Sequence, residues 1–189
     1  MVLVLPVAAG IALALLAGGD LRRLADLQFR GIALFYVAIG IQVLAFPFPF
    51  LPWHTGDGVG RALWLVSYAL LVAAAFVNRG IAGVPIIAVG MLSNVAAVLA
   101  NGGHMPVLPS ALRAAHRSFH VHFNSAANAS PHLAWLVDRW AVPHWLHVGN
   151  VFSVGDVVIA IGAALLVWSA MGARLPGPSR RSATFEQAS

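Results

Sequence analysis

The chain has 189 residues, of which 60% are hydrophobic and only 9% are charged, and its mean hydropathy is +0.84. Soluble domains carry about 25% charged residues, so the composition argues against a water-soluble fold and predicts a polytopic membrane protein. The absence of cysteine excludes disulfides and thiolate metal sites, and the net charge of +5 comes from arginines that form no basic stripe typical of nucleic-acid binding.

Five apolar segments follow one another along the chain, at residues 2–18, 32–48, 62–78, 81–100 and 154–172. Each has about the 17 to 25 residues that a membrane-spanning helix needs, and in a bilayer the backbone must satisfy its own hydrogen bonds. The sequence therefore predicts an all-α protein with five transmembrane helices. It divides into a membrane domain at residues 1–173 and a disordered cytoplasmic tail at residues 174–189.

The arginines predict the orientation of these helices. If five helices alternate, one side of the membrane receives Arg22, Arg23, Arg30, Arg79, Arg174, Arg180 and Arg181. The other side receives Arg61, Arg113, Arg117 and Arg139, spread over a much longer stretch. The positive-inside rule then places the N-terminus outside and the C-terminus in the cytoplasm.

The outer connection at residues 101–153 is too long for a simple loop and is expected to be structured. In "SALRAAHRSFHVHF", apolar side chains fall on one helical face, and arginines and histidines fall on another. In "SPHLAWLVDRW", Ser130 is a candidate N-cap with Pro131 in the first turn. Together with the aromatic belt expected of Trp135, Trp140 and Trp145, these patterns predict one or two short interfacial helices.

The stretch "ANGGHMPVLPS" predicts a rigid exit from the fourth helix. Asn101 ends the helix, Gly102 suits a left-handed backbone, and the prolines hold the chain extended. We expect this path to bring Asn101 and His104 toward Ser153 and Asp156, so that "NGGHMPV" and "SVGD" meet and form the floor of a polar pocket. Asp156 is expected to accept a hydrogen bond from Asn101 there.

Asp156 is the one acidic residue inside a predicted span, and intramembrane carboxylates indicate functional sites. Ser153 and Asp156 also have the spacing of a capping box, which favours a structural role at the start of the fifth helix. The two interpretations are compatible. Gln42 and Asn94 are expected to make hydrogen bonds between helices.

All eight histidines fall on the predicted outer side. His116 and His120 are four residues apart, a helical spacing that can chelate a divalent metal, with a third ligand from His104, His122, His132, His144 or His147. Arg117 stands where a metalloprotease helix carries its glutamate, so a protease is excluded. The alternative is that His116 and His120 are ordinary surface histidines. His144 and His147 are the candidate cofactor ligands, and the cofactor would be a divalent metal or haem.

Three motifs carry a resemblance to a known family: "GGDLRRLADLQFRG", "NGGHMPV" and "VFSVGDVVIAIG". With their order and spacing, the chain resembles an uncharacterised bacterial family of five-helix membrane proteins, catalogued only as a domain of unknown function. The resemblance implies a fold of five helices and implies no activity.

The expected function follows from this inventory. The sequence favours a small multi-pass protein of the cytoplasmic membrane, either an accessory subunit of a membrane complex or a binder of lipid, cofactor or metal at the outer face. The alternative is a membrane enzyme acting on a lipid or isoprenoid, with Asp156 as acid or base and Asn101 and His104 assisting. The expected partners are the lipid bilayer and other membrane subunits, without nucleic acid.

Overall fold

A computed structural model of the protein describes residues 4–45, 56–115, 125–142 and 150–174. Its helices are α1 (Val4–Leu16), α2 (Ile32–Ala45), α3 (Asp57–Val77), α4 (Val84–Ala100), α5 (Pro109–Ala114) and α6 (Val154–Ala170), with a 3-10 helix at Leu21–Asp26. The short strands are β1 (Met105–Val107), β2 (Ser125–Ala127), β3 (Trp140–Ala141) and β4 (Val151–Phe152). The five long helices coincide with the five predicted segments, so the all-α prediction is confirmed.

The five long helices are neighbours in the order α2, α3, α4, α6, α1. Gln42 joins α2 to α3 by donating a hydrogen bond from Nε2 to Ser67 Oγ at 3.2 Å, as expected of an amide in an apolar helix. Helix α1 contacts α6 through a buried cluster of Ala14, Val167 and Met171. Because the long helices alternate in direction, the molecule has two distinct ends.

The contact between α4 and α6 is close enough to exclude side chains. A Cβ at Gly155 would overlap the amide oxygen of Asn94 and the backbone carbonyl of Gly90. Glycine permits this approach because it carries no side chain. The short distance between the helices allows a polar residue of α4 to reach the first turn of α6.

One end of the helices collects five of the described arginines, and we call it the arginine end. These are Arg22, Arg23, Arg30, Arg79 and Arg174. The backbone N–H of Asp20, after α1, donates to the Met171 carbonyl at 2.9 Å, after α6. Asn78, which ends α3, accepts a hydrogen bond from the Arg30 backbone N–H at 2.7 Å and donates to the Arg30 carbonyl at 2.9 Å. It also donates to the Ala74 carbonyl at 2.7 Å. This amide clamp attaches the segment before α2 to the end of α3.

The opposite end, which we call the loop end, consists of residues 101–115, 125–142 and 150–153 lying on the ends of α3, α4 and α6. Strand β1 pairs in parallel with β2, and β3 pairs antiparallel with β4. Asn101 ends α4, and Gly102 follows with φ +71°, as the sequence predicts. The Asn101 side chain donates to the Ala97 carbonyl at 2.8 Å and exchanges hydrogen bonds with the backbone N–H and carbonyl of His132, both at 2.9 Å.

The predicted interfacial helix beginning at Ser130 is wrong, because residues 132–136 form turns. In a helix the His132 carbonyl would accept from the Leu136 N–H. It accepts from Asn101 instead, and the Leu136 N–H bonds to the Leu133 carbonyl at 2.8 Å, with Leu133 at φ +51°. The other predicted helix is present as α5, with Ala111 buried and Arg113 exposed, and its predicted continuation through residues 116–124 lies outside the described residues.

One described helix, Gly58–Val77, is long and apolar enough to cross a bilayer. Four further apolar helices, at Leu5–Leu16, Ile32–Ala45, Val84–Ala100 and Val154–Ala170, are shorter within the described ranges. The number and order of the predicted helices are therefore confirmed, and their five crossings of a membrane stay a prediction. The predicted tail begins at Arg174, which is described, and its remaining residues, 175–189, lie outside the described residues.

Candidate functional site

A polar cavity of about 140 Å³ lies at the loop end, between α3, α4, α6 and the residues above them. Its lining consists of Trp64, Tyr68, Asn94, Val98, Met105, Asp138 and Asp156. Pockets for drug-sized ligands measure about 300 to 1,000 Å³, whereas one water occupies about 30 Å³ of liquid. The cavity therefore fits a few waters or one small polar group, such as the end of a larger molecule.

Asp156 forms the floor of the cavity within a closed set of hydrogen bonds. Its Oδ1 accepts from Asn94 Nδ2 at 3.0 Å, and its Oδ2 accepts from the Ser153 N–H at 3.0 Å. Ser153 Oγ accepts from the Asp156 N–H at 3.1 Å and donates to Asn94 Oδ1 at 2.9 Å. The predicted capping box and the predicted interhelical bond of Asn94 are both confirmed. Both carboxylate oxygens thus hold fixed donors, which favours positioning over proton transfer.

Asp138 faces Asp156 from the loop above. Its backbone forms hydrogen bonds with the two neighbours of Val107. The Asp138 N–H donates to the Pro106 carbonyl at 3.0 Å, and the Asp138 carbonyl accepts from the Leu108 N–H at 2.9 Å. Within the described residues, no group donates a hydrogen bond to its carboxylate. Burial, and after it the negative charge of Asp156, raises the pKa of Asp138 from 3.8 to about 7. Asp138 can therefore take up or release a proton near neutral pH.

Aromatic and apolar side chains complete the cavity. Trp64 is only 6% exposed, and its ring centroid lies 4.2 Å from that of Tyr68. Met105 is buried against the same cluster, as expected of a methionine that packs rather than binds a metal. The carboxylates consequently face low-polarity walls on one side, which strengthens their electrostatic interactions.

Two apolar grooves adjoin the cavity, and each shares one lining residue with it. A groove of about 550 Å³ between α3 and α4 includes Tyr68. A second groove of about 400 Å³ between α1 and α6 includes Asp156. Tyr68 and Asp156 therefore each lie between the polar cavity and an apolar groove. Adjacent polar and apolar surfaces are the arrangement that an amphiphilic molecule requires.

The candidate residues Asn101 and His104 are near this site in the chain but have other partners. The Asn101 side-chain amide donates to the carbonyls of Ala97 and His132, so the predicted hydrogen bond from Asn101 to Asp156 is wrong. The donor to Asp156 is Asn94 instead. Asn94 lies two helical turns before Asn101, about 10 Å along the axis of α4, at the point where α4 packs against Gly155. His104 Nε2 lies 2.9 Å from Arg61 Nη1, and since a guanidinium can only donate, the imidazole accepts.

The histidine predictions are largely beyond the described residues. His116, His120, His144 and His147 all lie outside them, so the metal and cofactor assignments stay predictions. Where the chain is described, no group of three or more histidines, aspartates or glutamates could hold a metal ion. His132 contributes its backbone to the Asn101 clamp.

Sequence reasoning missed Asp138 and Tyr68. The chain has only six acidic residues, and Asp138 directly follows the apolar run "AWLV" between two tryptophans. A single carboxylate directly after an apolar run was the feature of the sequence that could have indicated Asp138. Tyr68 is one of two tyrosines in the chain and carries a hydroxyl within an apolar segment. A buried tyrosine hydroxyl usually has a hydrogen-bond partner, so its position could have indicated a polar site.

Comparison with known proteins gives a family without an assigned activity. The sequence profile of a family of unknown function, DUF5317, matches residues 26–168. An uncharacterized protein of Thermotoga maritima is 27% identical over 149 residues, covering 76% of this chain and 77% of its own length. No solved structure matches the chain. The region matched by the family profile includes the cavity residues and begins after the end of α1.

Proposed function

We propose that this chain, which belongs to the family of unknown function DUF5317, is a multi-pass protein of the cytoplasmic membrane. We further propose that it binds an amphiphilic lipid or isoprenoid by its polar end. The observation that carries the proposal is that the Asp138–Asp156 cavity lies next to two apolar grooves and shares a lining residue with each, Tyr68 with one and Asp156 with the other. The cavity volume suits a polar end group, and the grooves suit a hydrocarbon chain.

Exposed apolar surface supports the membrane location. Large hydrophobic side chains stand exposed on every long helix, including Leu16, Tyr36, Phe76, Leu99 and Ile161. Soluble monomers rarely present contiguous apolar patches beyond a few hundred Å². Trp135 and Trp140 are exposed at the loop end, which suits a water–lipid boundary.

The orientation we propose has the arginine end in the cytoplasm and the loop end outside, following the positive-inside rule. The cysteine-free chain allows a direct measurement. Impermeant thiol reagents on intact cells should spare a cysteine in place of Arg22 and label one in place of Asn128. The reverse pattern would invert the proposed topology.

Extraction of bound molecules tests the binding proposal. The full chain, purified in mild detergent, should carry an amphiphile enriched over the bulk membrane lipids, measured by mass spectrometry. Asp138→Asn should lose it, because the substitution removes the unpartnered carboxylate. Asp26→Asn, the same change at an exposed residue of the arginine end, is the matched control and should retain it.

Groove-filling variants identify the path of the hydrocarbon chain. Ala73→Phe should obstruct the groove that contains Tyr68, and Ala160→Phe should obstruct the groove that contains Asp156. One of the two should reduce the bound amphiphile. Full retention in both, or no enrichment in the unaltered protein, contradicts the proposal.

A second candidate function is an acid–base enzyme acting on such a molecule, with Asp138 in the role first assigned to Asp156. The raised pKa of Asp138 favours it, because a general acid or base works best with a pKa near the operating pH. The enzyme would convert the extracted amphiphile to a product, and Asp138→Asn would abolish conversion while binding persisted. Absence of product with the unaltered protein leaves binding as the function. An accessory role beside other membrane subunits stays a prediction.

A further inference from the structure

A second polar cavity, of about 270 Å³, lies at the arginine end, far from the Asp138–Asp156 site. It forms where the segment before α2 meets the end of α3, and its lining includes Gln28, Arg30, Asn78 and Gly80. The clamp from Asn78 uses only the backbone of Arg30. The Arg30 side chain is exposed at the rim, and no described residue forms a hydrogen bond or ion pair with its guanidinium.

The charge of this end is unbalanced. The described residues here carry five arginines, Arg22, Arg23, Arg30, Arg79 and Arg174, against two aspartates, Asp20 and Asp26, for a net charge of 5 − 2 = +3. One carboxylate is partly occupied, because Asp20 Oδ1 accepts from the Arg22 backbone N–H at 2.9 Å. An anion at this end would therefore meet a positive field that the described acidic residues do not cancel.

Structural roles account for Arg79 and leave Arg30 unexplained. The Arg79 guanidinium lies 4.7 Å from the Phe76 ring centroid, and its Nη1 donates to the Phe76 carbonyl at 3.2 Å. A cation also suits the negative end of the α3 dipole. Arg30 has neither a ring nor a carbonyl in contact with its side chain among the described residues.

We propose that this cavity binds the phosphate of an anionic phospholipid headgroup, with Arg30 as its principal contact. A guanidinium fork matches phosphate oxygens in two parallel hydrogen bonds. The Gln28 amide at the rim supplies a further donor, and exposed Phe76 and Val77 beside the cavity offer an apolar surface for acyl chains. Basic pockets between helices at the cytoplasmic face have the position that such headgroups occupy. This site rests on the membrane location proposed above, and its polar contacts are separate from the Asp138–Asp156 cavity, although Phe76 and Val77 also line the groove that contains Tyr68.

Native mass spectrometry of the full chain in detergent tests the site with defined lipids. Both lipids offer a phosphodiester to Arg30, but phosphatidylcholine also carries a cation that the net positive charge of this end repels. Phosphatidylglycerol should therefore bind about tenfold more tightly than phosphatidylcholine with the same acyl chains. Arg30→Gln should remove most of this preference while leaving the Asn78 clamp intact. Arg113→Gln, the same change on the exposed side of α5 at the loop end, should leave it unchanged.

Two further arms decide between alternatives. Arg30→Lys keeps the charge and loses the fork, so it should retain part of the preference and show a stronger loss with added salt. Inorganic phosphate, added at the concentration of the lipid, should not displace phosphatidylglycerol; displacement would assign the site to free phosphate and overturn the lipid proposal. Equal binding of both lipids, or an unchanged preference in a folded Arg30→Gln variant, would also overturn it.

Discussion

The two ends of the molecule are closed by the same device, an asparagine that terminates a helix. Asn78 at the arginine end and Asn101 at the loop end each donate to a carbonyl of the preceding helical turn, Ala74 and Ala97 respectively. Each also exchanges two hydrogen bonds with the backbone of one distant residue, Arg30 in the first case and His132 in the second. The chemistry of closure is therefore identical at both ends.

The surroundings of the two clamps differ. Asn78 is only 4% exposed, whereas the bonds from Asn101 to His132 lie at the surface, where water can replace them. The described arginines of the arginine end lie outside its clamp, whereas the loop end holds two carboxylates, Asp138 and Asp156, in its cavity. We interpret the first end as a fixed closure and the second as a weaker cover at the end that contains the cavity.

The largest expected effect concerns the charge enclosed at the loop end. The folded-state pKa of Asp138 is raised to about 7, so the folded protein binds an extra proton between about pH 4 and pH 7. The free energy of unfolding should fall as the pH rises through this window and stay level above it. The loss is at most about 4 kcal/mol, and it is smaller to the extent that the partly exposed carboxylate keeps its hydration.

Thermal unfolding of the detergent-solubilised protein across this pH range measures the effect. Asp138→Asn should abolish the pH dependence and leave the protein more stable than the unaltered chain at pH 8. Asp26→Asn should follow the unaltered curve. Coincident curves for Asp138→Asn and the unaltered protein would show that the loop end encloses no strained charge.

The next effect concerns the helix contact beneath the cavity. Gly155→Ala should destabilise the protein by about 3 kcal/mol, because even one methyl group overlaps Asn94 and Gly90. Gly40→Ala in α2 is the matched control, since no atom lies within 4 Å of its added Cβ. That change should be neutral or stabilise by up to about 1 kcal/mol. Equal stabilities of the two variants would contradict the close contact of α4 and α6.

The smallest effect compares the clamps themselves. Asn78→Ala leaves the Arg30 N–H and carbonyl without the hydrogen bonds of the buried Asn78 amide. It should lower the free energy of unfolding by about 2 kcal/mol. Asn101→Ala should cost about 1 kcal/mol, because water reaches the freed His132 groups. Chemical denaturation of both variants measures the difference. A larger loss for Asn101→Ala would reverse the assignment of fixed closure and weaker cover.

Much of the fold was predictable because its signals are local. Apolar segment length located the five long helices, the Ser153–Asp156 spacing located a helix start, and Asn101 followed by Gly102 located a helix end. Each of these features depends on residues within a few positions of one another. Local patterns are therefore reliable where the backbone satisfies its own hydrogen bonds.

The candidate site was only half predictable because it depends on distant residues. Asp156 was identified from its place in a span, but its partner is Asn94 rather than Asn101, a choice made by the packing of α4 on α6. Asp138 reaches the cavity through backbone bonds to β1, some thirty residues earlier in the chain. The residues after Ser130 likewise form turns instead of the predicted helix, because the Asn101 side chain, at the end of α4, bonds to the His132 backbone.

The position of Asp156 on the wall between the cavity and the groove of α1 and α6 has a consequence for measurement. An occupant that reaches the carboxylate along this groove arrives sideways from the hydrocarbon layer, not from the aqueous phase. Its occupancy then follows its mole fraction among the surrounding lipids or detergent molecules. Diluting the protein at a fixed lipid-to-protein ratio should leave occupancy constant, whereas adding inert detergent should empty the site.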